Sequence, residues 1–154
     1  MQISIVIVTY NSKKFIFDCI KSIFNSIKPT DEIEVVVFDN NSNEKLSNLK
    51  YNNLKIINND SNIGLSKSLN AVIPNCRYNT ILSINPDVIV SNDTISKLYN
   101  YFISNKNVGV AGCRVENFNG EYQNYTKRRF PSFLIALSYF LKLHNLGFTN
   151  YYNY

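Results

Sequence analysis

A three-layer α/β fold, with a mostly parallel sheet between helices, is what this sequence predicts. Three observations carry that expectation. Short β-branched runs alternate with amphipathic helical stretches along most of the 154 residues. The first run, residues 3–8, is almost wholly apolar, as a strand covered on both faces should be. Polar segments, Val8-Thr9-Tyr10-Asn11-Ser12, Phe38-Asp39-Asn40-Asn41-Ser42 and Ile84-Asn85-Pro86-Asp87, then follow three of the runs at the end where open α/β sheets bind ligands.

The elements follow in order. After residues 3–8, Asn11 or Ser12 can cap a helix whose apolar stripe is Phe15, Ile16, Cys19, Ile20, Ile23, Phe24 and Ile27. Pro29-Thr30-Asp31 ends it. Residues 33–38 read as a second strand and 54–57 as a shorter third, with a loop or weak helical turn around residues 44–49 between them. Leu65, Leu69, Val72 and Ile73 mark a second helix, opened by Asn62 and Gly64 and closed at Pro74. A fourth strand, 80–84, leads straight to Asn85-Pro86-Asp87. Ser91 or Asn92 caps a third helix with Ile95, Leu98, Tyr99, Phe102 and Ile103 inward, and 108–113 reads as a fifth strand. Asn119-Gly120 favours a tight turn, so 115–118 and 121–123 form an expected edge hairpin.

Composition narrows the function. A hydrophobic fraction of 45% and a charged fraction of 18% describe a globular chain of about one domain. The net charge of +5 is spread along the sequence, which suits an anionic small molecule or membrane surface, and no nucleic-acid-binding signature accompanies it. Cys19, Cys76 and Cys113 are odd in number, far apart and outside any C-x-x-C pair, and His144 is the single histidine. Zinc ligation is not expected, and the cysteines read as reduced, mostly buried thiols of a cytosolic protein. The amino terminus has no signal-peptide pattern, and no run nears the roughly 20 apolar residues of a membrane span.

The polar segments choose among α/β ligands. The first strand-to-helix turn, Thr9-Tyr10-Asn11-Ser12, lacks the glycines of a dinucleotide fingerprint, and the chain has no phosphate-cradling P-loop. A receiver domain needs an acidic cluster at its first strand, whereas the comparable acid here is Asp39, ending the second. Asp87, just beyond a strand, can hold a divalent cation against a diphosphate. Each of these residues also has an ordinary structural explanation in a turn or a helix entry; their occurrence together is what points to a nucleotide-sugar.

The runs I-S-I-V-I-V-T-Y-N-S, V-V-V-F-D-N-N-S, N-x-G-L and L-S-I-N-P-D-V resemble the amino-terminal half of family 2 glycosyltransferases, enzymes of the GT-A fold. The N-P-D motif, with G-C-R-V-E-N-F-N-G and R-R-F-P further on, resembles their rhamnosyltransferase-like branch. The likeness covers roughly residues 1–135. It implies a donor-binding domain over 1–131 and, over 132–154, the start of an acceptor-binding part. It implies Thr9, Tyr10 and Asn11 beside the base and ribose, Asp39 accepting the pyrimidine N3–H, and Asn41, Asn62, Gly64 and Asn85 around the nucleotide. Asp87 would bind Mg²⁺ or Mn²⁺. Asn85 stands where the family usually has the first acid of D-x-D, which implies weaker metal affinity.

The implied reaction is an inverting, metal-assisted transfer from a UDP- or dTDP-sugar to a saccharide or lipid-linked acceptor in polysaccharide biosynthesis. The implied location is cytoplasmic, with peripheral contact at the inner membrane face an option. The base in this family is a downstream carboxylate, but no Asp or Glu follows Glu121. A shortened chain that binds donor yet turns over poorly is therefore expected, and a non-catalytic nucleotide-binding or interaction module is the alternative. Lys127-Arg128-Arg129 is a solvated face or a contact for diphosphate or anionic acceptor. The apolar spacing over 133–143 would serve packing, homodimerisation or membrane contact.

Overall fold

The structure is a computed structural model that describes residues 1–46, 49, 51–123, 137, 140 and 141. They belong to two compact units, Met1–Ala111 and Gly112–Tyr154. The first unit runs β1 (Gln2–Thr9), α1 (Lys13–Ser26), β2 (Glu32–Asp39), β3 (Leu54–Asn58), α2 (Leu65–Val72), β4 (Ile81–Ile84) and α3 (Thr94–Ser104), with a single 3-10 turn at Ile73–Asn75 after α2. The four strands are parallel and lie in the order β3-β2-β1-β4. This is the three-layer architecture expected from the alternation of strands and helices.

Strand alternation sorts the core onto two faces. Odd-numbered residues Ile3, Ile5 and Ile7 of β1 and Ile33, Val35 and Val37 of β2 pack against Ile16, Cys19, Ile20 and Ile23 of α1 and Ile95 of α3. Even-numbered Val6, Val36 and Phe38 meet Val72 and Leu69 of α2. The near-continuous apolar spelling of β1 and β2 follows from this double coverage. Register then fixes the functional edge: Thr9 lies opposite Asp39, and Ile7 opposite Ile84. The chain leaves β1 towards β2 and β3 on one side and later returns to β4 on the other. The switch point thus falls between β1 and β4, and the crevice outside their carboxyl ends is where such sheets take ligands.

Several local expectations change. Ser12 is the N-cap of α1, but its hydroxyl donates to the Tyr10 carbonyl at 3.1 Å and makes no cap bond. Phe15 lies on the exposed side of α1, and Leu65, Ile73 and Ile103 are likewise exposed. The cap of α3 is Asp93 rather than Ser91 or Asn92, and its carboxylate pairs with Lys97 at 2.5 Å, one helical turn on.

Residues 108–113 form no strand. The Val108 N–H closes a turn onto the Asn105 carbonyl at 2.9 Å, and Val110 is 91% exposed between Gly109 and Gly112. Glycines leave a strand little to pack. In the second unit the expected hairpin exists as one antiparallel bridge, Glu116 to Tyr122, reversed through a turn with Gly120 at φ +82°. The cysteines are free but not uniformly buried: Cys19 is buried, Cys76 half-buried and Cys113 exposed. Lys127, Arg128, Arg129 and His144 lie outside the described residues, as does most of 133–143; Leu137, Phe140 and Leu141 within it are exposed.

Ile20 is wholly buried where α1 meets the sheet. Ile20→Ala is expected to cost about 2–5 kcal/mol, whereas Phe15→Ala should cost about 0.5 kcal/mol or less, as surface substitutions do. Urea unfolding of both variants checks this; equal losses would contradict the assignment of the helix face.

Candidate functional site

The carboxyl ends of β1, β2, β3 and β4 carry the described residues that sequence reasoning singled out. Asp39, last in β2, is fully buried. Its Oδ1 accepts the Ser42 N–H at 2.9 Å. Its Oδ2 is buried and has no hydrogen-bond partner. Burying an acceptor without a donor costs about 1–3 kcal/mol, more when it is charged. A fold retains such an atom at lower cost if a ligand supplies the missing N–H.

Three loops are fastened around this carboxylate. The Asn40 N–H donates to the Thr9 carbonyl at 2.8 Å, extending the β1–β2 ladder past the strand ends. The Asn11 N–H donates to the Ser42 hydroxyl at 2.8 Å, and Asn11 Oδ1 accepts the Asn43 N–H at 2.9 Å. On the other side, the Asn40 side chain donates to Asn62 Oδ1 at 2.7 Å and accepts the Ile63 N–H at 3.0 Å. Asn62 Oδ1 also accepts the Gly64 N–H at 3.0 Å. Asn11 and Asn41 hold left-handed backbones, φ 51° and 68°, which asparagine tolerates better than most side chains.

Gly64 has φ +80° and ψ 162°, a region essentially confined to glycine. A Cβ there would meet no atom within 4 Å, so backbone conformation rather than crowding by the protein calls for glycine.

The structure therefore brings together Thr9, Tyr10, Asn11, Asp39, Asn41, Asn62 and Gly64. Thr9 is buried beside Asp39, while Tyr10, Asn11, Asn41, Asn62 and Gly64 are exposed at the rim. Asn85 and Asp87 stand, exposed, beyond β4 on the far side of β1. Arg128 and Arg129 lie outside the described residues. Sequence reasoning missed Asn40 and Ser42 as site residues. Both are buried and join loops, and the signal was present in the short polar run Asp39-Asn40-Asn41-Ser42-Asn43.

The donor set also bears on a metal. Among the described residues no three His, Cys, Asp or Glu side chains gather to hold an ion. One exposed carboxylate, Asp87, with the Asn85 amide nearby in sequence fits an ion that takes its other ligands from a diphosphate and water. It does not fit an all-protein site. Beneath this turn lies Cys19, whose thiol is pushed up from 9.0 to about 11, first by burial; the Val88 N–H opposes that shift and the Asp87 charge adds to it.

With this geometry in place, the comparisons define the class. The chain matches the glycosyl transferase family 2 model over residues 4–153 and belongs to that family. It is 27% identical over 127 residues to a poly(ribitol-phosphate) beta-glucosyltransferase of Bacillus spizizenii, covering 78% of this chain and 20% of that protein. It is 29% identical over 132 residues to the amylovoran biosynthesis glycosyltransferase AmsE of Erwinia amylovora, covering 81% of this chain and 49% of AmsE. The chain thus spans half or less of these relatives.

Among solved structures, TarS residues 1–349 from S. aureus in complex with UDP superposes with TM-score 0.56 at 25% identity, over 68% of this chain and 32% of that one. The mannosyltransferase PcManGT of Pyrobaculum calidifontis superposes with TM-score 0.63 at 18% identity, over 75% of this chain and 36% of that one. The fold is that of GT-A glycosyltransferases. No helix among the described residues is long and apolar enough to cross a membrane.

The thiols give a direct check on this packing. In the native chain at pH 8, iodoacetamide should label exposed Cys113 first and buried Cys19 last. With its folded value near 11 against an ordinary 9.0, folding favours the protonated Cys19 thiol. The resulting stabilisation is complete below pH 9 and is lost as pH climbs towards 11. Mass spectrometry of labelled peptides across that window reads the order; early labelling of Cys19 would contradict it.

Proposed function

We propose that this chain forms the donor-binding part of a metal-assisted, inverting glycosyltransferase that takes a UDP- or dTDP-linked sugar. The acceptor is a saccharide or lipid-linked molecule in surface-polysaccharide or glycolipid assembly at the cytoplasmic face of the membrane. The observation that carries the reading is the unpartnered, buried Oδ2 of Asp39 at the ligand edge of the sheet. A carboxylate oxygen accepts and cannot donate when ionised. Uracil and thymine offer an N3–H to it, and cytosine does not.

The ends of β2 and β4 are two strand spacings apart, about 10 Å. That span suits a base over Asp39 and a diphosphate over Asp87, with Thr9, Tyr10 and Asn11 between them around the ribose. Asn41, Asn62 and Gly64 close the base side. Asp87, with Asn85 beside it, would hold Mg²⁺ or Mn²⁺, which when bound neutralises charge on the leaving diphosphate. Residues 1–131 would be the donor domain and 132–154 the start of the acceptor side, with Arg128 and Arg129 towards diphosphate or acceptor. TarS, the neighbour at 25% identity, is known in complex with UDP and with UDP-GlcNAc, which supports the uracil reading. The likeness to a rhamnosyltransferase-like branch rests on the N-P-D motif and on G-C-R-V-E-N-F-N-G with R-R-F-P.

A second reading is a nucleotide-binding module without transfer, since the strand-end geometry accounts for donor binding and no general base is assigned among the described residues.

Calorimetric titration with UDP, dTDP, GDP and ADP, each with and without Mn²⁺, tests the donor site. UDP or dTDP should bind best, and Mn²⁺ should tighten binding. Asp87→Ala should abolish the Mn²⁺ gain, about tenfold or more, while leaving urea stability within about 0.5 kcal/mol, as at an exposed position. Equal Mn²⁺ dependence in wild type and variant would remove Asp87 from the site. Sugar release or transfer by a chain that binds donor separates the enzyme from the module.

A further inference from the structure

The geometry points to Cys19 and Ser22 of α1 as positioning residues for the Asn85-Pro86-Asp87 turn, holding Asp87 where the donor diphosphate arrives. This inference rests on the donor-site reading above and deepens it.

Asp87 lies on an irregular stretch between the end of β4 and the start of α3. Two contacts with α1 bracket it. The Cys19 thiol donates to the Asn85 carbonyl with Sγ and O 3.6 Å apart, two residues before Asp87. The Val90 N–H donates to the Ser22 hydroxyl at 3.0 Å, three residues after it. The Ser22 hydroxyl in turn donates to the Cys19 carbonyl at 2.7 Å, which fixes the rotor so that its lone pair faces Val90. Cys19 and Ser22 are three residues apart and so share one helix face. Between the two ties, the Val88 N–H donates to the Asn85 carbonyl at 3.3 Å and shapes the turn itself.

A buried cysteine ordinarily serves as a small apolar filler, and Cys19 does pack in the core. Filling alone does not account for the pairing. Both the thiol and the hydroxyl are spent on backbone groups of the acidic turn, one on each side of Asp87. Val90, 8% exposed, plugs into the same core and sets the depth of the segment. The helix that begins at Lys13, just after the ribose-side loop of Thr9, Tyr10 and Asn11, thereby also carries the diphosphate-side turn. α1 is the rigid spacer between the two halves of the crevice.

Positioning predicts a split that simple destabilisation does not. Ser22→Ala and Cys19→Ala should leave UDP affinity without metal unchanged and cut the Mn²⁺-dependent gain about fivefold, the ratio for a hydrogen bond of ordinary net strength. Ser22→Thr keeps the hydroxyl and should restore the gain. Hydrogen exchange gives a readout free of ligand: the Val90 amide should exchange faster in Ser22→Ala, with β1 amides unaltered. Ser22 is only half-buried, so its alanine variant tests the idea even if Cys19→Ala fails to fold.

A full Mn²⁺ gain in Ser22→Ala, or an unchanged Val90 exchange rate, would overturn the role. Equal loss of metal-free and metal-dependent affinity would also overturn it, because that marks general loosening. A wild-type chain that binds UDP without any Mn²⁺ gain, or does not bind it, overturns the donor-site reading and the positioning role with it.

Discussion

The structure depends on the parallel pairing of β1 with β2 over their full length, from Gln2 opposite Glu32 to Thr9 opposite Asp39. β1 is hydrogen-bonded on both edges and packed on both faces, so its position is over-determined. The loops of the candidate site hang from its carboxyl end, from those of its neighbours β2 and β4, and from that of β3 beyond β2. A slip of β2 by one residue would turn Val35 and Val37 away from α1 and move Asp39 to the opposite face. The same apolar alternation that builds the core therefore also aims the carboxylate.

Past the strand ends, side-chain amides and hydroxyls replace the sheet as the organising force. Asn11, Asn40, Ser42 and Asn62 join the turns after β1, β2 and β3 through short bonds to backbone groups and to each other. Such residues compete well for backbone donors in turns. The network leaves Asp39 Oδ2 outside its pairing. On the β4 side the fastening differs, since α1 supplies a thiol and a hydroxyl to the acidic turn. The β2 and β4 sides of the sheet's carboxyl edge are thus held by different chemistry on a shared scaffold.

Much of this was legible in the sequence, for physical reasons. Buried parallel strands spell themselves as apolar runs, which is why all four strands of the sheet lie within a residue or two of their expected limits. Helices show through their stripe, but its flanks are ambiguous: Phe15, Leu65, Ile73 and Ile103 fit the period and still face solvent. The expected strand at 108–113 has β-branched residues, yet two glycines and a local turn at Val108 leave it unpaired. Ser12 and Gly64 stand at the N-caps of α1 and α2 as expected, but the cap of α3 was misplaced because Ser91, Asn92 and Asp93 are consecutive and spacing alone cannot choose among them. The candidate site was visible as residues but not as a network; that Asn40 joins two loops depends on which turns the sheet order makes neighbours.

The proposed reading of the base turns on Asp39 Oδ2 being held open for the N3–H of a pyrimidine. Its most direct test is to compare, by calorimetry with Mn²⁺ present, the binding of UDP and of N3-methyl-UDP, which keeps the ring, ribose and diphosphate but lacks that hydrogen. A hydrogen bond to a charged group is worth about 1.5–3 kcal/mol, so UDP should bind roughly tenfold to a hundredfold more tightly. Equal affinity for the two would contradict the account, because the buried carboxylate would then have no part in reading the base.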